Sequence, residues 1–197
     1  MAGVFAGPLS AAPVAAPVAA PAPQVAAVCV ACHGMHGEGA ASGVPRLAGQ
    51  NADYMSHALS TFRDGTRASA VMQPIARTLD DAQSRRLADY FSRQDAPGAD
   101  AASTSPQLAL AGKRLAEAGT PNVAACFSCH GPQGKGDGAR FPRIASQPAQ
   151  FIIDRLHRFQ ERARENAPVP GTMTEVSTTL DERQIKAAAA YLSHLQP

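Results

Sequence analysis

Cys29-Val30-Ala31-Cys32-His33 and a second copy, Cys126-Phe127-Ser128-Cys129-His130, decide how this chain folds. Both are CxxCH, the pattern for covalent haem attachment, and together they use all 4 cysteines of the 197 residues. On one turn of helix, positions i, i+3 and i+4 share a face. Two thiols can therefore meet the two vinyl groups of one haem while the next imidazole turns onto its iron. A lone CxxC is open to other chemistry: a thioredoxin-like pair, half of a zinc site or a disulfide framework. Here the histidine follows both pairs, and each pair lies in its own copy of a longer repeat, which argues against one shared zinc site. Two motifs imply two haem c groups, held by Cys29, Cys32, Cys126 and Cys129, with His33 and His130 on the irons.

The repeat extends well past the cysteines. The offset 126 − 29 = 97 carries Pro45, Arg46 and Leu47 onto Pro142, Arg143 and Ile144, then Gln50 onto Gln147, Tyr54 onto Phe151, Leu59 onto Leu156 and Phe62 onto Phe159. Further on the offset is 180 − 79 = 101, pairing Leu79-Asp80 with Leu180-Asp181, Ala88 with Ala189 and Tyr90 with Tyr191. Four extra residues thus enter the second copy, and the proline-bearing stretch Asn166 to Gly171 is the expected place. Repeats of this length, each with its own cofactor motif, predict two tandem domains. The stretch 94–106 has scarcely any large apolar residue and predicts a linker. Domain one then spans 24–93 and domain two 107–197, and 1–23 is an Ala/Pro-rich leader or tether whose prolines block a continuous helix. Units this short bury little core of their own, so the haem is expected to serve as the apolar body around which they pack.

Periodicity predicts an all-α fold. Tyr54, Ala58, Leu59 and Phe62 recur at helical spacing, as do Phe151, Arg155, Leu156 and Phe159. A last helix in each copy starts at Asp80 or Asp181, with Gln83 or Gln184 three residues on to complete a capping box. Its buried side is expected to hold Leu87, Ala88 and Phe91, then Ile185, Ala189 and Leu192. A further helix over Gln107 to Ala118 precedes the second motif and ends at Gly119 and Pro121. Strand-like alternation is absent.

The stretches AVCVACHG, PRLAGQ, YMSHALSTFRDGTR and TLDDAQSRRLADYFS, with CFSCHGPQGKG, FPRIASQ, FIIDRLHRFQ and TLDERQIKAAAAYLSHL, carry a resemblance. Each half resembles a class I cytochrome c, and the tandem resembles the dihaem cytochrome c4 family. That resemblance implies two class I domains, each wrapped around one haem c, and an electron-transfer protein with no catalytic residues. It also implies methionine as the sixth ligand. Met72 and Met173 each stand seven residues before the leucine that precedes the last helix (79 − 72 = 7; 180 − 173 = 7). His/Met coordination closes both axial positions, and a soft thioether favours the ferrous state. Met35, too near His33, and Met55, expected to pack on its helix, are competitors to Met72. His36, His57, His157 and His194 are expected to face solvent, although any of them would offer a bis-histidine alternative.

Pro45 and Pro142 each follow their ligand histidine by twelve residues (45 − 33 = 12; 142 − 130 = 12). In the family a proline at this place accepts the Nδ1 hydrogen of the axial imidazole through its carbonyl. Arg46 and Arg143 come next and could pair with haem propionates. Gly49 becomes Ser146 and Tyr54 becomes Phe151 in the second copy, so a tyrosine hydrogen bond is available to one haem alone.

Charge excludes nucleic acid as a partner. Domain one carries 7 basic and 6 acidic residues, the linker 0 and 2, and domain two 11 and 8, giving +2 with no aromatic-basic motif. The arginines from Arg155 to Arg164 alternate with Asp154, Glu161 and Glu165, as on a solvated helix face, or one that steers an acidic redox partner. Haem attachment to CxxCH implies a periplasmic location, yet no Lys or Arg precedes Arg46, so the leader reads as a truncated signal or a tether. Its prolines preclude a membrane span, leaving peripheral association with the membrane as the alternative to free diffusion. The expected role is single-electron relay between a quinol-oxidising complex of the bc1 type, or a dehydrogenase, and a terminal oxidase or reductase. The rivals are the cytochrome subunit of a flavin- or quinoprotein dehydrogenase and, with an open iron, a dihaem peroxidase.

Overall fold

The computed structural model describes residues 23–95 and 105–196. The leader expected over 1–23 falls outside them except for Pro23, as does most of the linker. In the first copy a 3-10 turn, Gln24–Ala26, leads into α1 (Ala27–His33), followed by α2 (Ala52–Asp64), α3 (Met72–Arg77) and α4 (Asp81–Ser92). The second copy holds α5 (Pro106–Ala118), α6 (Cys126–His130), a 3-10 turn Pro132–Gly134, α7 (Ala149–Asn166), α8 (Met173–Thr178) and α9 (Glu182–Leu192). Among the described residues there are no strands, only isolated bridges, of which Ala40 with Val44 and Asp137 with Phe141 are one feature repeated at offset 97 (137 − 40 = 97; 141 − 44 = 97).

Local chemistry sets the helix ends. Asp80 Oδ1 accepts from Gln83 N at 2.7 Å while Gln83 Oε1 accepts from Asp80 N at 2.9 Å, and Asp181 and Gln184 repeat this at 2.8 and 2.9 Å. Both expected capping boxes are therefore closed, each satisfying two amides that a helix start leaves over. Asn51 caps α2 by accepting from Tyr54 N at 2.9 Å. α5 opens one residue before its expected start because proline is well suited to the first helical position.

The four extra residues fall elsewhere than the sequence suggests. Gly65, at φ 88°, stops α2 in the left-handed region, whereas the equivalent position 65 + 97 = 162 is arginine, a good helix former. α7 therefore runs on to Asn166, and the connection to the next helix is 6 residues (167–172) against 7 in the first copy (65–71). The insertion lengthens a helix by about one turn and leaves the proline-bearing loop no longer than its counterpart.

Each copy has its own core. Leu87, Ala88, Tyr90 and Phe91 of α4 pack with Met55, Leu79 and Ala26, and Ile185, Ala188, Ala189 and Leu192 of α9 pack with Leu115, Ala116, Ile152 and Leu156. α5 crosses α9 backbone to backbone: a Cβ on Gly112 would lie 1.9 Å from Ala187 O. Among the described residues, domain one has no counterpart of α5, and α4 packs against α2 and the Gln24–Ala26 turn. Gln94, at the expected linker boundary, is buried in domain one, its Nε2 donating to Tyr90 O at 3.0 Å.

Candidate functional site

α1 and α6 each present two cysteines and a histidine from about one turn of helix. His33 and His130 are 8% and 7% exposed, the least exposed residues of their helices. Nδ1 of His33 lies 2.8 Å from Pro45 O, and Nδ1 of His130 lies 2.8 Å from Pro142 O. A carbonyl only accepts, so Nδ1 carries the hydrogen in both rings and Nε2 of the neutral imidazole keeps its lone pair for a metal. Burial pushes both imidazoles below their usual pKa, against the pull of the carbonyl bond. Both effects serve a ligand: a neutral ring, held at one orientation.

The thiols are free, with Cys29 and Cys126 half-buried and Cys32 and Cys129 exposed. Burial raises the Cys29 thiol and pushes Cys126 to about 11. Glycines bring each histidine loop against its proline segment. A Cβ on Gly39 would meet Val44 O at 2.7 Å and Arg46 N at 2.9 Å, and one on Gly136 would meet Arg143 N at 2.7 Å. Both sit at positive φ, 72° and 90°.

The two candidate methionines occupy one structural position: Met72 opens α3 and Met173 opens α8, and both are half-buried. Met173 packs on the second core with Cys126, Phe127 and Ile144. Side chains at matching places (160 − 97 = 63) tie the long helix to the segment after each methionine: Arg63 Nη1 donates to Leu79 O at 3.1 Å and Gln160 Nε2 to Leu180 O at 2.9 Å. Met55 is buried in the first core and Met35 is 56% exposed. His36 and His57 are exposed as expected, but His157 and His194 are only half-buried. The first of these pairs with Glu182 Oε2 at 2.8 Å across the contact of α7 with α9, and the second folds back on its own chain, its Nδ1 lying 2.8 Å from Ala190 O four residues earlier.

The arginines diverge. Arg46 is 5% exposed and donates from Nε to Glu38 O at 2.9 Å and from Nη1 to Ser146 O, so its guanidinium is engaged by carbonyls. Arg143 buries Nε and Nη2, and Arg67 buries Nε, with no partner in the protein. Buried cationic donors without acceptors are costly, and the carboxylates of a haem are acceptors of the right charge. This, with the thiol pairs and the free imidazole nitrogens, makes the residues fit a haem in each copy. Arg67 escaped the sequence reading because nothing local marks it as buried: its counterpart at offset 97, Arg164, is exposed. Arg155 departs from the solvated face expected of it: its guanidinium lies 4.5 Å over the Phe159 ring, and burial, helped by Arg67, pushes its pKa down to about 10.

The family model for cytochrome c matches residues 19–95 and 109–196. The chain belongs to the cytochrome c family. This cytochrome is 36% identical over 177 residues to the thiosulfate dehydrogenase electron acceptor of Stutzerimonas stutzeri (strain A1501), covering 88% of this chain and 82% of the relative. It is 35% identical over 182 residues to cytochrome c4 of Azotobacter vinelandii, covering 86% and 85%. Among solved structures, reduced recombinant cytochrome c4 from Pseudomonas stutzeri superposes with a TM-score of 0.78 at 31% identity, over 86% of this chain and 94% of that one. A thiosulfate dehydrogenase from Marichromatium purpuratum superposes at 0.76 and 34% identity, over 86% of this chain and 36% of that one. The cytochrome is thus a dihaem, cytochrome c4-like electron carrier with two covalently bound haem c groups, and an electron-transfer protein, not an enzyme. Among the described residues no helix is long and apolar enough to cross a membrane.

Proposed function

We propose that His33 with Met72, and His130 with Met173, are the axial ligands of two closed haem irons that relay single electrons in the periplasm. Haem c supplies a one-electron ferric/ferrous couple; the chain's task is to hold its ligands still and keep substrates off the iron. The observation that carries this reading is the repeated pair of Nδ1–carbonyl bonds, 2.8 Å in both copies, together with a methionine that opens the same short helix in both. Cys29, Cys32, Cys126 and Cys129 form the thioethers, Pro45 and Pro142 orient the imidazoles, and Arg143 answers a propionate. Arg46 is the weaker candidate for that last role, since carbonyls already engage it. The absorption band of methionine bound to ferric haem tests the ligands: half of it should disappear in Met72→Ala, half in Met173→Ala, and all in the double variant. An undiminished band in either single variant refutes that ligand.

The electron donor we favour is a dehydrogenase, and specifically one that oxidises thiosulfate. Support comes from the relatives named as thiosulfate dehydrogenase electron acceptors, at 36% and 38% identity, and from the likeness to part of a thiosulfate dehydrogenase chain. Stopped-flow mixing of the oxidised cytochrome with a thiosulfate-reduced dehydrogenase should reduce both haems. Reduction by a quinol-oxidising complex alone would select the other donor class, and a terminal oxidase or reductase is the expected acceptor. Domain arrangement follows the repeat: copies over 24–93 and 107–197 with a linker between.

A further inference from the structure

The two axial-histidine supports are joined across the domain boundary. Gln147, 4% exposed, accepts from Arg46 N through Oε1 and donates from Nε2 to Arg46 O, both at 3.0 Å. Gln50, 5% exposed, accepts from Arg143 N at 2.9 Å and donates to Arg143 O at 3.0 Å. The two glutamines are equivalent in the repeat, as are the two arginines, so the contact is a reciprocal exchange about a local two-fold. Arg46 N–H belongs to the same peptide group as the Pro45 carbonyl that accepts from His33, and Arg143 N–H to the same group as the Pro142 carbonyl that accepts from His130. One peptide therefore stands between each imidazole and a glutamine of the other domain.

We propose that Gln147 and Gln50 are positioning residues that tune the haem of the opposite domain. An acceptor on the amide end of a peptide polarises its carbonyl, and hydrogen bonds in such a chain strengthen one another. A stronger Pro45 carbonyl draws the Nδ1 hydrogen of His33, makes the ring more basic and favours the ferric state. Removing Gln147 weakens that pull and favours the ferrous state in domain one; removing Gln50 does so in domain two. The inference rests on His33 and His130 being iron ligands.

The test uses the full haem-loaded chain, with the two haems resolved by NMR during redox titration. In Gln147→Leu the ferrous-to-ferric ratio of the domain-one haem should rise about threefold at a fixed potential, about 28 mV at about 59 mV per tenfold. The domain-two haem should stay within error, and the Nδ1–H resonance of ferrous His33 should move upfield. Gln50→Leu should give the mirror image. Gln147→Glu, which keeps an acceptor for Arg46 N–H, should leave the domain-one potential at or below that of wild type, and stands in if the leucine variant fails to fold. Equal shifts in both haems, a shift only in the mutated domain, or no shift overturns the proposal, since a merely loosened interface gives no crossed pattern. Failure of the ligand assignment reads differently: His33 or His130 of the wild type would show no displacement of its ring protons by the haem.

Discussion

Replacing Gly136 by alanine tests how tightly the histidine loop must lie on the proline segment. The residue sits at φ 90°, and an added Cβ would lie 2.7 Å from Arg143 N and 3.0 Å from both Phe141 O and Pro142 C, all backbone atoms that cannot rotate away. Two costs combine: about 1–2 kcal/mol for an L-residue at positive φ and about 1–3 kcal/mol for forcing atoms into filled space. Gly138 supplies the control, because it has φ 59° but nothing within 4 Å of its Cβ. Gly138→Ala should therefore carry the first cost alone, about 1.5 kcal/mol, and Gly136→Ala about 3.5 kcal/mol. For a domain of this size each kcal/mol moves Tm by about 4–8 °C, so the two variants should differ by about 8–16 °C. Differential scanning calorimetry of the haem-loaded protein resolves this in the domain-two transition. The ferric spectrum of that domain should change too, because the displaced peptide carries the carbonyl that holds His130. Equal Tm losses in the two variants would refute the close approach.

Asp181→Ala and Asp80→Ala, each removing half a capping box, should each cost about 1 kcal/mol in denaturant melts, with Asp181→Asn close to neutral. Tyr191 Oη donates to Glu117 Oε1 at 2.9 Å, and burial together with that carboxylate pushes its pKa up to about 12 from 10.0. A folded pKa above the unfolded one means the contribution is complete below about pH 10 and is lost as pH rises toward about 12, so urea stability should fall across that window in wild type and lack that fall in Tyr191→Phe. Arg143→Met removes the buried donors that lack a protein partner and should lower the midpoint potential of one haem, since a nearby positive charge favours the less charged ferrous centre; an unmoved potential would mean another anion answers Arg143.

Much of this molecule was legible in the sequence because its decisive chemistry is local. CxxCH on one helical turn, the Asp-x-x-Gln boxes and the apolar spacing of α2, α4, α7 and α9 depend on neighbours a few residues away, and the repeat doubled each signal. Misplacements arose where a local cue competed with a longer-range one. Proline and glycine in 166–171 marked the obvious place for four extra residues, yet the absence of a glycine stop at Arg162 let the helix absorb them. The charges alternating from Asp154 to Glu165 suggested a solvated face, and Asp154 does stay exposed, accepting from Gln150 Nε2 at 2.8 Å. The Phe159 ring, one turn on from Arg155, takes that guanidinium inward instead. The domain interface was present in the sequence only as an unexplained coincidence, Gln50 and Gln147 at the repeat offset, because what a glutamine amide grips is set by docking and not by its neighbours in the chain.

That interface also bears on why two carriers share one chain. Four hydrogen bonds from two buried amides join the domains, each contributing about 0.5–1.5 kcal/mol net of the water it displaces, or about 4 kcal/mol together before the ordering cost of docking. At about 1.4 kcal/mol per tenfold, that is a factor of nearly a thousand toward docking, from which the ordering cost is then subtracted, reduced by the domains already being held on one chain. All four bonds end on the backbone of Arg46 and Arg143, the residues that follow the histidine-supporting prolines, so the boundary is fastened where the carbonyls hold His33 and His130. The geometry of that seam is set by backbone, by the two buried amides and by the Arg46 guanidinium, which donates from Nη1 to Ser146 O across it. Arg158, Glu161, Arg162, Arg164 and Glu165 are exposed on α7, the helix whose Arg155 lies within electrostatic reach of Arg67 and Tyr54 in the other domain.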